Sequence, residues 1–370
     1  MLVLVLALSA WPSATASQQL PTLPRWTVAL SAAPAPATAP IAVGDLILVP
    51  LQSGTLSAHR VGDGRAVWTV DLLPAWPMTA DQERVYVVSG DALQALDLAS
   101  GTVAWRVAPI TPSAPPVVRS GWLIVAAKDV LIALRAADGA ELWRREIAGV
   151  MFRPAIDGDF LYVSVSDGRV AALDLPTGTP RWTRRLDGRP FEPLAIGGRV
   201  YVGATDKQFY AIDASSGDVD WRRRVGAEPR GQPAVDENHV YSVSLDNVLR
   251  AFDRGHGALR WNEGLPFRPA AGPIVLGAAV TVAGGTRALP AFNTVDGHQA
   301  GTIQFTGTLG SLPALVPLAH GGAALAVVTG DLENQWKLSL LDPAPDVPVI
   351  AAAPLSELPG DVIPLGWPQP

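Results

Sequence analysis

Between Ala58 and Gly301 the chain returns seven times to one frame, Ala-x-Asp-x-x-x-Gly-x-x-x-Trp, and that recurrence leaves few folds open. Four copies are complete: Ala95/Asp97/Gly101/Trp105, Ala172/Asp174/Gly178/Trp182, Ala211/Asp213/Gly217/Trp221 and Ala251/Asp253/Gly257/Trp261. Two copies place Arg where Asp stands, at Ala58/Arg60/Gly64/Trp68 and Ala133/Arg135/Gly139/Trp143. The seventh keeps Ala291, Asn293 and Gly297 but carries Gly301 in place of Trp, and an eighth unit retains little beyond Asp342. Successive Ala positions lie 37, 38, 39, 39, 40 and 40 residues apart, so each unit is one supersecondary element that stacks on the next.

The residues around the frame define that element. Upstream lie short apolar runs such as Val85-Tyr86-Val87-Val88, Leu161-Tyr162-Val163-Ser164, Val200-Tyr201-Val202-Gly203 and Val240-Tyr241-Ser242-Val243. A tight turn follows, for example Ser166-Asp167-Gly168 or Leu245-Asp246-Asn247, and a second strand then runs into the frame. Pro116, Pro154, Pro193, Pro233 and Pro273 stand 11 or 12 residues past a Trp and mark entry into the next unit. Four strands per unit is the content of a propeller blade, and no period of 3.6 competes with it.

The expectation is therefore an all-β, eight-bladed β-propeller of four-stranded antiparallel blades over residues 17–343. Seven blades is the alternative if the degenerate last segment is not a blade. Leu23-Pro24-Arg25-Trp26-Thr27 resembles Thr179-Pro180-Arg181-Trp182-Thr183, so an isolated outer strand near residues 23–30 precedes the first unit. Such a strand completes the last blade and removes the open edges of a linear array. Residues 344–370 read as a Pro-rich closing segment or tail.

The frame has a structural logic. Asp97, Asp174, Asp213 and Asp253 end a strand, where a carboxylate accepts from turn amides, and Gly four residues on supplies the positive φ of the turn. Trp26, Trp68, Trp105, Trp143, Trp182, Trp221 and Trp261 present a flat apolar surface to the neighbouring blade and an indole N–H that seeks an acceptor.

Charge and cysteine content narrow the function classes. Lys and Arg total 28 against 34 Asp and Glu, a net charge of −6, which gives no overall attraction to nucleic acid. The absence of Cys excludes disulfides, a thiolate zinc site and a Cys nucleophile. Leu2–Leu8 is too short to span a bilayer and is followed by Ala14-Thr15-Ala16, so residues 1–16 read as a secretory signal peptide, although without a basic leading region. With no lipobox cysteine, the expectation is a soluble periplasmic or secreted protein and a monomeric propeller.

The frame resembles the tryptophan-docking repeat of the quinoprotein, or PQQ-like, β-propeller superfamily, over essentially the whole chain after residue 16. One branch of that superfamily implies dehydrogenases with bound quinone and calcium. The other implies cofactor-free propellers of the BamB family, periplasmic scaffolds that assist outer-membrane protein assembly. The dehydrogenases are similar in repeat but longer, with a vicinal Cys pair, and this chain has no Cys. Asp157-Gly158-Asp159 reads as a hairpin turn rather than a calcium loop. The expected function is a non-enzymatic scaffold for protein partners such as barrel-assembly components, with no catalytic, cofactor or metal residues assigned. A quinoprotein dehydrogenase, a hydrolase with a channel-mouth site and a ligand-binding sensor propeller are the alternatives.

His59, His239, His256, His298 and His320 have no metal-binding spacing and read as solvated turns or packed edges. Two arginine sets stand out. Arg144, Arg145, Arg184, Arg185, Arg222, Arg223 and Arg224 follow the Trp in three consecutive units and would form a basic band on outer strands. The band either discourages edge pairing or docks an acidic partner. Arg153, Glu192, Arg230, Gln232 and Arg268 lie in the crossings before each inner strand, near one mouth of the central channel. They form either a solvated rim or a site for an anionic ligand or acidic peptide.

Overall fold

Eight separate antiparallel sheets arise from these repeats in a computed structural model of the chain, which describes residues 19–20, 24–30, 38–285, 288–305, 307–318, 322–331 and 335–342. Blade four is representative: Ala155–Asp157 innermost, then Phe160–Val165, Arg169–Asp174 and outermost Pro180–Arg185. Its second strand is a near-continuous apolar run because blades on both sides cover it, and Leu161, Tyr162 and Val163 are buried. Its outer strand alternates, with Trp182 turned toward the neighbour and Arg181 and Thr183 in solvent.

The first blade comprises Ile41–Val43, Leu46–Leu51, Thr55–Arg60 and Ala66–Asp71. The eighth is assembled from both ends of the chain. Ala314–Pro317, Ala323–Gly330 and Trp336–Leu341 are joined by Pro24–Ala29, which pairs antiparallel with the last of these and sets Trp26 opposite Leu340. Eight blades and the closing N-terminal strand are thus both present, and the seven-bladed alternative is set aside. One pairing was not expected: Gln19–Leu20 adds in parallel to Gln299–Gln304, the outer strand of blade seven. Residues 1–16 and 344–370, read above as signal peptide and tail, lie outside the described residues, as does His320.

The repeated frame explains the spacing between blades. In blade four Trp182 pairs with Ala172 across a bulge, and its ring lies against Gly217 of blade five. A β-carbon on Gly217 would sit 2.6 Å from Trp182 Cδ2. The indole donates to Ala214 O of that same blade at 2.9 Å. The pattern recurs from Trp68 to Gly101, Trp105 to Gly139, Trp143 to Gly178, Trp221 to Gly257 and Trp261 to Gly297. Trp26 completes it by docking on Gly64 and donating to Val61 O at 2.7 Å, so the last blade is locked to the first. The exception is the seam from blade seven to blade eight, where Gly301 stands in place of Trp and side chains such as Leu289, Ile303, Leu325 and Val327 form the packing.

Turn chemistry follows the expected form. Asp174 Oδ1 accepts from Thr177 N at 3.0 Å, and Asp97, Asp213 and Asp253 accept equivalent amides. Where Arg replaces Asp the acceptor moves three residues on: Asp138 Oδ1 accepts from Ala140 N and Asp138 pairs with Arg135 at 2.8 Å. Gly64, Gly101, Gly139, Gly178, Gly217, Gly257 and Gly297 all have positive φ.

Candidate functional site

The chain crosses from each outer strand to the next inner strand at the end of the ring that carries the turns between second and third strands. Backbone bonds such as Ser166 N to Gly149 O, Thr205 N to Arg189 O and Leu245 N to Glu228 O hold crossing and turn together. Of the five mouth candidates, Arg153, Glu192 and Arg268 lie in these crossings, whereas Arg230 and Gln232, expected there too, fall within the inner strand Pro229–Val235, which begins earlier than the prolines at 154 and 193 suggested. Arg153, Glu192 and Gln232 immediately precede Pro154, Pro193 and Pro233, so they occupy one position in blades four, five and six. Arg230 and Arg268 stand earlier, beside Pro229 and Pro269, which hold one register position against Ser244 and Gly284. The three arginines therefore do not share a repeat position; they divide into two groups.

The first group centres on Arg153. It is only 3% exposed, and its Nε and Nη2 meet no acceptor among the described residues. Loss of solvation pushes its guanidinium down to about 10, and the charge of Glu192 opposes that fall. Burial likewise raises the Glu192 carboxyl, with Arg153 pulling the other way. Phe152 and Phe191, the residues just before them, meet edge to face at 5.7 Å and brace the two crossings. Gln232 Nε2 donates to Pro193 O at 2.9 Å and ties blade six to blade five.

The second group is a pair of like charges. Half-buried Arg230 has its Nε buried without an acceptor, and its guanidinium is shifted downward by desolvation and then by the charge of Arg268. Backbone approach fixes this pair. Gly231, at φ +68°, lies against Gly272, and Gly272 lies against the carbonyl of Gln232, with no room for a β-carbon on either. Inner strands Pro229–Val235 and Pro269–Leu276 are thereby drawn together.

The basic band divides too. Arg145 donates from Nε to Gly178 O and from Nη2 to Thr177 O of the next blade. Arg184 reaches Gly217 O at 2.5 Å and also pairs with Asp218, while Arg223 reaches Gly257 O and His256 O and lies over the Trp221 ring. These three bind the blade whose glycine the neighbouring Trp covers. Arg144 pairs with Glu141 at 2.8 Å and Arg222 with Asp187 at 3.0 Å. Arg185 and Arg224 remain exposed, without a side-chain partner among the described residues.

Arg185 also lines a polar cavity of about 560 Å³ with Asp167, Asp187, Arg189 and Thr205, between blades four and five. Sequence reasoning missed this cavity, because it joins residues from separate repeats and no single stretch encodes it. His59 is buried between Ser57 Oγ and Gly64 O, whereas His256 and His298 sit in turns.

The dehydrogenase branch implies a bound calcium ion, which calls for a converging set of ligands. Calcium needs six to eight converging oxygens, and among the described residues no three His, Asp or Glu side chains gather at one point. Gly158 and Asp159 form the expected hairpin turn after the strand Ala155–Asp157.

An eight-bladed ring whose blades are joined by Trp docking on the glycine of the next repeat defines a propeller of the PQQ-like class. The model of the family described as outer membrane protein assembly factor BamB matches residues 23–120, 89–195 and 166–311, and the chain belongs to that family. BamB of Alkalilimnicola ehrlichii is 36% identical over 128 residues, which is 33% of this chain and 33% of that protein. The match thus spans about a third of the curated relative. Among solved structures, BamB from Moraxella catarrhalis aligns with TM-score 0.69 at 18% identity, covering 86% of this chain and 99% of that one. Quinohemoprotein alcohol dehydrogenase from Comamonas testosteroni aligns with TM-score 0.65 at 13% identity, covering 86% and 76%. These structural likenesses show the fold.

Proposed function

We propose that this chain is a non-enzymatic periplasmic scaffold that binds protein partners in outer-membrane protein assembly. The observation that carries the reading is the family match running from residue 23 to 311, through seven of the eight blades. The geometry supports it: the Ala, Gly and Trp of the repeat frame are consumed in joining blades, and the crossings at one end are left to carry recognition. That end presents Arg268 exposed and Arg230 half-buried, a positive rim suited to acidic segments of a partner. Among the described residues no helix is long and apolar enough to cross a membrane.

Cross-linking in the native envelope followed by mass spectrometry tests this. Barrel-assembly components should be recovered with the wild-type chain, and Arg268→Glu should weaken their recovery without unfolding an exposed position. Recovery of no assembly component, or a stoichiometric quinone spectrum with dye reduction on adding calcium, would overturn the reading.

A further inference from the structure

Two cations drawn together by the fold need a reason. Arg230 and Arg268 come from adjacent blades, and each makes no ion pair or side-chain hydrogen bond among the described residues. Neither is free to drift away along the backbone, because the contact of Gly231 with Gly272 and of Gly272 with the Gln232 carbonyl fixes the strands that bear them. Like charges held this way raise the energy of the ligand-free protein. The buried Nε of Arg230 adds a donor that has lost water without gaining an acceptor.

We propose that Arg230 and Arg268 form a binding site for a small oxyanion, a carboxylate or phosphate group, between the inner strands of blades six and seven. One such group satisfies both deficits. Its charge offsets the repulsion, and its oxygens accept from a guanidinium in the fork geometry that arginine offers. Gly231 and Gly272 serve as positioning residues, setting the spacing of the two side chains. Arg153, in the crossing into blade four, differs because Glu192 already opposes its charge. The site stands independently of the scaffold reading, since a small anion can occupy it with or without a docked protein.

Calorimetric titration of the full chain with inorganic phosphate and, separately, succinate in a low-chloride buffer tests the site. Saturable binding to at least one is expected, weakened tenfold or more by Arg230→Gln and by Arg268→Gln. The stronger of the two probes identifies the preferred group. A second readout separates a binding site from a surface charge: Arg268→Gln should raise the melting temperature of the anion-free protein while removing the further rise that the anion causes. Arg268→Lys, which keeps charge but loses the fork, should bind at an intermediate level. The proposal is overturned if neither anion binds saturably, if both Gln variants bind as the wild type does, or if Arg268→Gln lowers the anion-free melting temperature.

Discussion

The six-membered ring of Trp182 fills the space that a β-carbon on Gly217 would need, 2.7 Å from Cε3, although the two residues belong to different blades. Gly217 thus has two duties, a φ of +77° in its own turn and a bare face for its neighbour's indole. Gly217→Ala should cost about 3 kcal/mol, from a left-handed penalty plus displacement of the ring. Gly44→Ala, at φ +55° with nothing within 4 Å, should cost only about 1 kcal/mol. Urea unfolding of both variants measures the difference, and equal costs would show that docking adds nothing beyond turn strain.

Arg145, Arg184 and Arg223 extend the same seam with guanidinium bonds to carbonyls of the next blade. Replacing Arg223 with Ala should cost about 1–2 kcal/mol, for two charge-assisted bonds at a partly exposed site. Arg223→Lys should recover little of it, because an ammonium cannot reach both Gly257 O and His256 O with the planar fork. Full rescue by Lys in the same unfolding measurement would assign the effect to charge alone.

This seam marks where sequence reading succeeded and where it stopped. The Ala-to-Trp spacing made the blades, their number and the closing strand legible, because strand, turn and strand are local and repeat. The duties of Arg145, Arg184 and Arg223 were not legible. An arginine three residues past a bulge points into solvent or onto the next blade according to register, and sequence alone suggested a free basic band. The mouth candidates were singled out because they lie next to prolines that punctuate each repeat. Their grouping was not found, since the charge of Arg153 answers Glu192 while that of Arg230 is opposed by Arg268, and those relations depend on how neighbouring inner strands and crossings approach. Gln19–Leu20 carried no repeat frame to announce its pairing with blade seven.

Closure by Pro24–Ala29 makes the N-terminal strand a structural part of the ring. A chain beginning at residue 31 would expose the strand Trp336–Leu341 as an unpaired edge and lose the Trp26 dock on Gly64. Such a chain should self-associate, since an uncovered apolar edge is a template for pairing. Trp26→Ala, which keeps the strand, should stay monodisperse and lose about 3–5 kcal/mol. Light scattering distinguishes the two outcomes; a monodisperse truncated chain of wild-type stability would rule out the closing role.

Arg153 depends on Glu192 because a buried guanidinium with two unpartnered nitrogens has no other described counter-charge. Glu192→Gln should destabilise the fold by about 3 kcal/mol, the usual scale for stranding a buried charge. Combining it with Arg153→Met should restore much of the loss, since an apolar stem of similar length removes the stranded cation. If the double variant is no more stable than Glu192→Gln alone, the two residues are not coupled.

His59 gives the ring a pH dependence of definite sign. Gly64 O can only accept, so His59 Nδ1 carries the proton and donates to it at 3.0 Å, while Nε2 faces the Ser57 hydroxyl at 3.0 Å. Burial lowers the imidazole below its ordinary 6.5, outweighing the bond to Gly64. As pH falls below about 6.5 the unfolded chain takes up a proton that the folded protein refuses, so stability is whole above that value and declines until the folded imidazole itself titrates. The slope from this residue is at most about 1.4 kcal/mol per pH unit. Asp97, Asp174 and Asp213, held below their ordinary 3.8 chiefly by hydrogen bonds from turn hydroxyls and amides, begin to withdraw their contributions only nearer pH 4. Between pH 6.5 and 5 the decline belongs mainly to His59, while Glu192, whose raised carboxyl takes up a proton first in the folded protein, acts with the opposite sign toward the acid end; His59→Gln should flatten the decline in urea unfolding measured across that window, and an unchanged slope would move its origin to another group.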